Sequence, residues 1–300
     1  MSRSLGLEES RAKVLADLLI DLAVDVQKKR PSKSLKGRSV LVVGGSGRMG
    51  EWTCRFFSDR GANVKVWDPR GRLEGYQSVR SISPSGTASD FVVVASPLGK
   101  CQDELEQVLK CSPKGIVFDL CSVKAHIYGV LKKAATQGIL VTSVHPMFGP
   151  SAATPNGRNV IVCDCGNAEA NKLVEDLFKT EGARVSTIAL NRHDELMAYV
   201  LGLSHLCSLL FAGTLARSGK SARELSRFQG TSFAKMTKMA RELTNESKRV
   251  YHDIQSLNPH TRHMVATMEG VLRDLKKASL DADSVRFSKI MESNKEFLEV

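Results

Sequence analysis

Residues 39–53 read Ser39-Val-Leu-Val-Val-Gly-Gly45-Ser-Gly47-Arg-Met-Gly50-Glu-Trp-Thr53, and this stretch decides the fold of the 300-residue chain. A short apolar run, typical of a buried strand, leads through the spacing GxGxxG into a segment with helical periodicity. Gly45 allows a tight turn, Gly47 lets backbone N–H groups approach a pyrophosphate, and Gly50 lets helix and strand pack closely. The helix N-terminus then faces the phosphates. The stretch predicts a dinucleotide site rather than a plain glycine-rich turn.

An acidic residue follows where a ribose-binding side chain is expected. The next apolar run, Asn63–Trp67, ends at Asp68, about 20 residues beyond the turn, where a carboxylate binds ribose hydroxyls. A carboxylate repels the 2′-phosphate of NADP, so Asp68 favours NAD, whereas Arg70 and Arg72 nearby could accept that phosphate. We therefore predict NAD as the cofactor, with NADP as the alternative.

The third apolar run ends at Ser96 and Pro97, at the carboxyl edge where ligands collect in doubly wound sheets. We expect these two residues to border the nicotinamide, the alternative being an ordinary Ser-Pro turn. The predicted cofactor-binding residues are Gly45, Ser46, Gly47, Arg48, Met49, Gly50, Asp68, Ser96 and Pro97.

Short apolar runs alternate with helical stretches over the first two thirds of the chain. The runs are Ser39–Val43, Asn63–Trp67, Phe91–Ala95, Gly115–Leu120, Ile139–Val144, Asn159–Cys163 and Ala183–Ile188. Several are continuously apolar, which indicates strands covered on both faces. From about Asn191 long helical periodicities take over, beginning with His193–Ser218. The sequence predicts an α/β fold: a Rossmann-type doubly wound, mostly parallel sheet over residues 37–189, followed by an all-α C-terminal domain over 190–300.

Composition indicates an ordinary water-soluble globular protein, with 42% apolar and 25% charged residues. No apolar run approaches the roughly 18 uninterrupted residues of a membrane span, and no secretory signal is recognised. The net charge of +11 is spread along the chain without a basic stripe or nucleic-acid motif. We expect a cytoplasmic protein that collects anionic small molecules and has no nucleic-acid or membrane partner.

The seven cysteines are scattered, without a CxxC pair, and several lie in apolar runs. They are interpreted as small buried hydrophobic residues in a reducing compartment. We therefore expect neither disulfides nor a metal site.

The most unusual stretch is Ile139–Pro150, in which His145 is followed by Pro146, Gly149 and Pro150. A lone histidine after a strand is often structural. The stiff loop predicted at the same sheet edge as the glycine turn strengthens the case for a chemical role.

With these residues in view, the chain resembles the prephenate dehydrogenases, enzymes of tyrosine biosynthesis. The resemblance runs in the family's order from about Lys36 to the C-terminus. It rests on Gly44-Gly-Ser-Gly-Arg-Met-Gly50, Asp119-Leu-Cys-Ser-Val-Lys124, His145-Pro-Met-Phe-Gly-Pro150, and His193-Asp194 followed by Gly202-Leu-Ser-His205. It implies NAD-dependent oxidative decarboxylation of prephenate to 4-hydroxyphenylpyruvate and CO2.

The resemblance also implies catalytic roles. Neutral His145 would accept a hydrogen bond from the ring hydroxyl and take its proton as hydride leaves, a general-base role worth about 10²–10⁴ in rate. Ser122, which matches the family's SVK motif, would hold the same hydroxyl or the histidine. Its alternative role is the N-cap of a helix beginning near Lys124, and both roles can hold at once.

Substrate-binding residues are expected in the helical domain. His205 matches a substrate-pocket histidine of the family, although its pattern alone favours a packed helix residue. The family's arginine for the side-chain carboxylate matches Arg262, with a solvated surface arginine as the alternative. Because Asn-Pro-His-Thr precedes it, His260 or Arg241 could serve instead.

The start of the helical domain carries two further expectations. Asp194 suits a helix N-terminus and is expected to be structural, with His193 at the domain junction. Leu196–Leu215 holds more hydrophobic residues than one helix face can bury. Since the family is dimeric, we expect a homodimer through this all-α dimerisation domain.

The N-terminal 36 residues are predicted to form an amphipathic helix, over 8–29, and a linker. The helix resembles the last helix of the all-helical chorismate mutases that precede the dehydrogenase in some organisms, with Gln27 at the active-site glutamine. The two preceding helices are absent. We therefore predict no mutase activity and a helix that packs on a domain or subunit surface.

Three alternatives stay open. Arogenate differs from prephenate only at the side chain, so an arogenate dehydrogenase is one. A 3-hydroxyacid dehydrogenase of the 6-phosphogluconate type is another, but it needs a catalytic lysine where this chain has Tyr199, His205 and Ser208. A non-catalytic NAD(P)-binding regulator would bind dinucleotide without turnover.

Overall fold

The structure is a computed structural model that describes residues 34–244 and 247–299. The helix predicted for residues 8–29 lies outside the described residues. The chain divides into two compact units, one ending at His193 and the other beginning at Asp194.

The first unit is built on one eight-stranded sheet with the order β3-β2-β1-β4-β5-β6-β7-β8. Neighbouring strands pair in parallel except β6 and β7, which are antiparallel. The predicted doubly wound, mostly parallel sheet is confirmed. The strands are β1 (Ser39–Val43), β2 (Asn63–Trp67), β3 (Gln77–Ser78), β4 (Phe91–Val94), β5 (Ile116–Asp119), β6 (Val141–Pro146), β7 (Asn159–Asp164) and β8 (Arg184–Ala189).

Five helices connect these strands. They are α1 (Arg48–Ser58), α2 (Pro84–Thr87), α3 (Leu98–Lys110), α4 (Tyr128–Thr136) and α5 (Ala168–Thr180). Aromatic rings from α1 and α5 stack within the core, where the Phe56 and Phe178 centroids lie 5.4 Å apart. Removing such a ring from water stabilises the fold by roughly 1.5–3 kcal/mol, so this cluster fixes α1, and with it the glycine turn, against the sheet.

Strand β6 is longer at its carboxyl end than the apolar run predicts. Residues beyond Val144 stay in the sheet because β7 pairs with them, His145 opposite Ile161 and Pro146 opposite Val160. His145 therefore lies within a paired strand and not in the loop that follows it.

The second unit is helical throughout its described residues, as predicted. Its first helix begins before the unit boundary and runs continuously through a π-helical segment. The elements are α6 (Leu190–Met197), the π segment (Ala198–Leu203), α7 (Ser204–Ala216), α8 (Ala222–Ser226), α9 (Thr231–Thr244), α10 (Lys248–Leu257), α11 (Thr261–Leu280) and α12 (Ser284–Leu298). Gln255 donates a 2.9 Å hydrogen bond to the Gly202 carbonyl inside the π segment, which satisfies backbone that the wider turn leaves free.

The continuous helix Leu190–Ala216 is both long and apolar. Its 27 residues have a mean hydropathy of 1.7 over the most apolar window, of which 22% is buried. By length and composition alone it could cross a membrane, a property that it shares with many core and interface helices. Its exposed hydrophobic side chains are Leu196, Tyr199, Val200, Leu209 and Leu210.

Candidate active site

The glycine turn between β1 and α1 is packed too closely for side chains. A Cβ on Gly45 would lie 2.5 Å from Val66 Cγ1, and one on Gly50 would lie 2.2 Å from the Gly44 carbonyl oxygen. Gly44 adopts a left-handed φ of 80°. Gly47 is the N-cap of α1, so the unpaired amides of the first helical turn face the end of the turn. The geometry fits a pyrophosphate drawn close to backbone.

Asp68, at the end of β2, is held beside this turn by two neighbours. Its Oδ2 accepts a 3.0 Å hydrogen bond from the Ser46 backbone N–H. The Arg70 guanidinium donates a hydrogen bond to each carboxylate oxygen, with Nε 3.0 Å from Oδ1 and Nη2 2.9 Å from Oδ2. Burial alone would raise the pKa of Asp68, but the hydrogen bonds from Arg70 and Ser46 outweigh it and lower the pKa. The carboxylate is thus charged and pre-positioned.

Ser96 borders the glycine turn and contacts Glu104, a residue that the sequence did not single out. A Cβ on Gly44 would lie 2.8 Å from Ser96 Oγ, so the ends of β1 and β4 are in close contact. The Ser96 hydroxyl donates to the carboxyl of Glu104, which is buried on α3. Burial raises the pKa of Glu104 despite that hydrogen bond. Pro97 is the N-cap of α3.

His145 reaches the same carboxyl edge from β6 and is paired with a second histidine. Its Nδ1 lies 2.9 Å from Nε2 of His193, and both side chains are buried. Burial first, and then the electrostatic effect of His193 and Lys124 on a protonated ring, hold the pKa of His145 well below its usual range. The imidazole is therefore neutral, as a general base must be.

Lys124 fixes the backbone immediately before His145. Its Nζ donates to Asp119 Oδ1 at 2.7 Å and to the Val144 carbonyl at 2.9 Å, with both charged side chains buried. Burial by itself would lower the pKa of Lys124, but the charge of Asp119 raises it above the usual value. This ion pair joins the ends of β5 and β6. Asp119 and Lys124 lie in one motif of the sequence, but no role was predicted for either of them.

The structure corrects one of the roles predicted for Ser122. Helix α4 begins at Tyr128 with Ile127 as its N-cap, so Ser122 does not cap a helix near Lys124. Half-buried Ser122 keeps its other predicted roles, contact with the substrate hydroxyl or with His145, and both stay predictions.

Helix α1 also reaches the loop that follows His145. Trp52 Nε1 donates a 2.8 Å hydrogen bond to the Ala152 carbonyl, and its ring centroid lies 5.1 Å from that of Phe148. The element that begins at the glycine turn is therefore packed against the segment that follows the histidine. The first unit brings the predicted cofactor turn and the predicted base to one edge.

Within the second unit, His205 is half-buried on α7 with its ring perpendicular to that of Tyr251, at 4.5 Å. Burial lowers its pKa. Its Nδ1 is buried and has no hydrogen-bond partner in the described part of the chain. Neutral His205 thus keeps a polar atom available, and its role toward substrate stays a prediction.

The turn between α10 and α11 holds the other predicted substrate residues. Asn258 Nδ2 donates to the Asp194 carbonyl at 2.8 Å, and its Oδ1 accepts from the His260 N–H at 2.9 Å. Arg262, on the first turn of α11, is exposed, as is Arg241 on α9. Asn258 therefore shapes the turn that presents His260 and Arg262, which explains the motif in front of the arginine.

A close-packed glycine turn, a charged carboxylate and a neutral histidine at one sheet edge are features of the class of dinucleotide-binding α/β proteins. Two family models match the chain: the nucleotide-binding domain of prephenate dehydrogenase over residues 74–187, and its dimerization domain over residues 190–293. The chain belongs to the prephenate dehydrogenase family. The family predicted from the motifs is confirmed.

Curated relatives carry related names. A probable arogenate/prephenate dehydrogenase of Methanocaldococcus jannaschii is 26% identical over 264 residues, covering 84% of this chain and 59% of the relative. The T-protein of Enterobacter agglomerans is 25% identical, covering 72% of this chain and 56% of the relative. A 4-amino-4-deoxyprephenate dehydrogenase of Streptomyces pristinaespiralis is 29% identical, covering 75% and 79%. The chain thus spans less than two thirds of the length of the first two.

Solved structures share the fold. Prephenate dehydrogenase from Aquifex aeolicus, in complex with hydroxyphenyl propionate and NAD+, has a TM-score of 0.70 at 20% identity, covering 89% of this chain and 99% of that one. Synechocystis arogenate dehydrogenase has a TM-score of 0.65 at 13% identity, covering 86% and 98%. The predicted fold class is confirmed. The family models begin at residue 74, so the likeness of residues 8–29 to a chorismate mutase helix stays a prediction.

Proposed function

We propose that this chain is a prephenate dehydrogenase that converts prephenate to 4-hydroxyphenylpyruvate and CO2 with NAD as oxidant. The observation that carries the proposal is His145: a neutral, buried imidazole at the sheet edge of the glycine turn, oriented through Nδ1 by His193. Such a group suits removal of a hydroxyl proton beside a dinucleotide.

The residues of the turn fit a nicotinamide dinucleotide. Gly45 and Gly50 allow a turn packed too tightly for a Cβ, and Asp68 stands charged where the ribose would bind. When bound, the cofactor accepts the hydride from the ring carbon that bears the hydroxyl. In this chain the glycine turn and Asp68 would hold the dinucleotide, while Ser96 and Pro97 would border its nicotinamide.

His145 would supply the base through Nε2. Because Nδ1 and His193 Nε2 share one proton, Nε2 is free to accept only when that proton resides on Nδ1 of His145 and is donated to His193. Nε2 then takes the proton of the substrate hydroxyl as hydride departs. The bond to the ring carboxylate breaks, its electron pair enters the ring, and CO2 leaves. The ring oxygen, now a phenolate, takes the proton back from Nε2, which gives 4-hydroxyphenylpyruvate and neutral His145. Aromatisation supplies much of the driving force, so the protein mainly orients the substrate.

Cofactor preference follows from Asp68 and Arg70. The charged carboxylate favours the free ribose hydroxyls of NAD, and we propose NAD for that reason. Arg70 is the group that would favour NADP, because its side chain is 59% exposed and could turn from Asp68 to a 2′-phosphate.

We propose that residues of the second unit bind the substrate carboxylates. His205 offers a buried Nδ1, His260 is the N-cap of α11, and Arg262 lies on the first turn of that helix. Arogenate is the second candidate, because one relative's name includes it. The 6-phosphogluconate type of dehydrogenase is disfavoured, since residues 190–216 contain no lysine.

The deciding experiment combines purified protein with prephenate or arogenate and with NAD or NADP, and follows reduced nicotinamide. We expect the highest kcat/KM with prephenate and NAD. Higher activity with arogenate would move the proposal to the second candidate. Dinucleotide binding without turnover in all four mixtures would support the alternative that the chain is a non-catalytic NAD(P)-binding regulator.

We also propose a cytoplasmic homodimer, with residues 37–189 as the dinucleotide domain and 190–300 as the substrate and dimerisation domain. The support is the exposed apolar surface of helix Leu190–Ala216 together with the dimerization-domain match. A second copy would cover that surface. Light scattering of detergent-free protein should give twice the chain mass, and Leu209→Glu/Leu210→Glu should halve it. A monomeric parent, or a parent that needs detergent, would contradict this.

A further inference from the structure

A cluster of metal-ligating side chains lies in the first unit and is not used by the hydride chemistry. Cys101 on α3, Asp119 at the end of β5 and Cys121 two residues further on are all buried. Their ligand atoms lie within 4.8 Å of one another. We propose that Cys101, Asp119 and Cys121 form a binding site for a thiophilic divalent metal ion of the zinc class.

The carboxylate of Asp119 supplies the first argument. Oδ1 already accepts hydrogen bonds from Lys124 Nζ at 2.7 Å and from the Cys121 N–H at 2.8 Å. Oδ2 is fully buried and has no hydrogen-bond partner among the described residues. A buried, unsatisfied polar atom carries a desolvation cost of about 1–3 kcal/mol. The oxygen is therefore placed to gain from a ligand.

The spacing of the three ligand atoms suits one small ion. Zinc bonds to thiolate sulfur at about 2.3 Å and to carboxylate oxygen at about 2.0–2.2 Å, with tetrahedral geometry. Ligand atoms around one zinc ion are thus separated by roughly 3.5 Å. The three ligand atoms of this cluster lie within 4.8 Å of one another, so small side-chain rotations would bring them to that separation.

Charge also balances. Lys124 already neutralises Asp119 in the buried pair. When Cys101 and Cys121 each release one proton to solvent, the two thiolates match the two charges of the metal. The buried cluster is therefore neutral before and after binding, which avoids the cost of an uncompensated buried charge.

The described cluster supplies three ligands, and His126 follows five residues after Cys121 in the sequence. Both of its ring nitrogens are buried and lack a hydrogen-bond partner within the described chain. Two sulfurs and a carboxylate form a donor set that selects zinc-like ions over magnesium or calcium.

The spacing of the cysteines along the sequence does not reveal this site. Cys101 and Cys121 are too far apart in sequence for a ligand motif, and the fold brings α3 next to the end of β5. Because Cys121 precedes Ser122, a bound ion would hold the segment that carries Ser122. The metal takes no part in the proposed reaction, so this site and the proposed function stand or fall separately.

The test uses reduced, chelator-treated full-length protein titrated with Co2+ and then Zn2+. We expect one equivalent of cobalt, with the visible bands of a tetrahedral ion and a thiolate charge-transfer band, both removed by zinc. Zinc, but not magnesium, should raise Tm. Cys101→Ser and Cys121→Ser should lose the charge-transfer band. Cys54→Ser, at a buried cysteine on α1, is the matched control and should retain it.

The parent protein alone can overturn the proposal. If the folded parent shows no stoichiometric thiolate charge-transfer band, the cluster binds no such ion, and water hydrates Asp119 Oδ2 instead. An unchanged band in both cysteine variants would place the metal elsewhere. Circular dichroism identifies a variant that has not folded, and the parent titration then still decides.

Discussion

The Nδ1 atom of His145 lies 2.9 Å from the Nε2 atom of His193, with both rings buried. Two neutral imidazoles at this distance share a single proton, so the tautomer of one sets the tautomer of the other. The orientation and the proton-accepting atom of His145 therefore depend on a residue 48 positions later in the chain.

Replacing His145 tests the base directly. His145→Asn should lower kcat by about 10²–10⁴, the usual range for a lost general base, while dinucleotide affinity changes little. Stopped-flow turnover and fluorescence titration with NAD measure the two quantities. His252→Asn, at an exposed histidine on α10, is the control. A His145→Asn enzyme as active as the parent would remove the proposed base.

The pH profile tests the part played by His193. Since the pKa of His145 is held well below its usual value, kcat/KM for the parent should stay flat well below pH 6.5, the approximate value for free histidine. His193→Asn removes one cause of that depression, so the acid limb should move upward. By analogy with histidine-orienting partners in metal sites, kcat should fall by about 10–100-fold. A reduced kcat with an unmoved acid limb would mean that His193 acts only in packing.

Folding stability should also depend on His145. The folded state disfavours the protonated ring, so the unfolded chain binds more protons once pH falls below about 6.5. Stability therefore declines from that pH downward until the lower, folded pKa is reached. Urea denaturation at a series of pH values should show a shallower decline for His145→Asn than for the parent. Equal slopes would contradict a buried neutral imidazole.

Asp68 and Arg70 should have opposite effects on cofactor choice. Asp68→Ala removes charged hydrogen bonds worth about 1.5–3 kcal/mol, and should raise KM for NAD about 10–100-fold with a smaller change for NADP. Arg70→Ala frees the carboxylate and should increase the preference for NAD. The ratio of kcat/KM for the two cofactors reports both effects. A preference for NADP in the parent that disappears in Arg70→Ala would reverse the assignment.

The close packing at the glycine turn predicts a local steric effect. Gly50→Ala places a Cβ 2.2 Å from a backbone oxygen, so the turn must distort, with weaker dinucleotide binding and a lower free energy of unfolding. Gly129→Ala, in α4 where nothing lies within 4 Å, should be neutral or stabilising by up to about 1 kcal/mol. Isothermal titration and chemical denaturation measure these changes, and similar behaviour of the two variants would contradict the packing argument.

Much of the first unit could be predicted from sequence. The bounds of β1 and β2 agree with their apolar runs, because buried parallel strands are marked by continuous hydrophobic residues between turn signals. Strand β3 was missed, since Gln77 and Ser78 carry no apolar signal. The extension of β6 to Pro146 depends on pairing with β7, which no local pattern reveals.

The candidate site was predicted less completely. Gly45, Gly50 and Asp68 can be identified by their spacing in the sequence. The hydrogen-bond partners of the other site residues are distant in sequence. His193 and Glu104 are recognised only when the fold places them against His145 and Ser96. The His193-Asp194 pair was visible as a motif and was assigned a structural role. The helix start at Tyr128 displaced the cap expected at Ser122, because the intervening turn has no strong sequence marker.

Pairing of His145 with Ile161 across β6 and β7 separates two tasks that one loop would otherwise share. The reactive ring is anchored in the sheet's ladder, while the following segment up to residue 158 is not. The position of that ring is therefore set by strand pairing and does not depend on the conformation of residues 147–158.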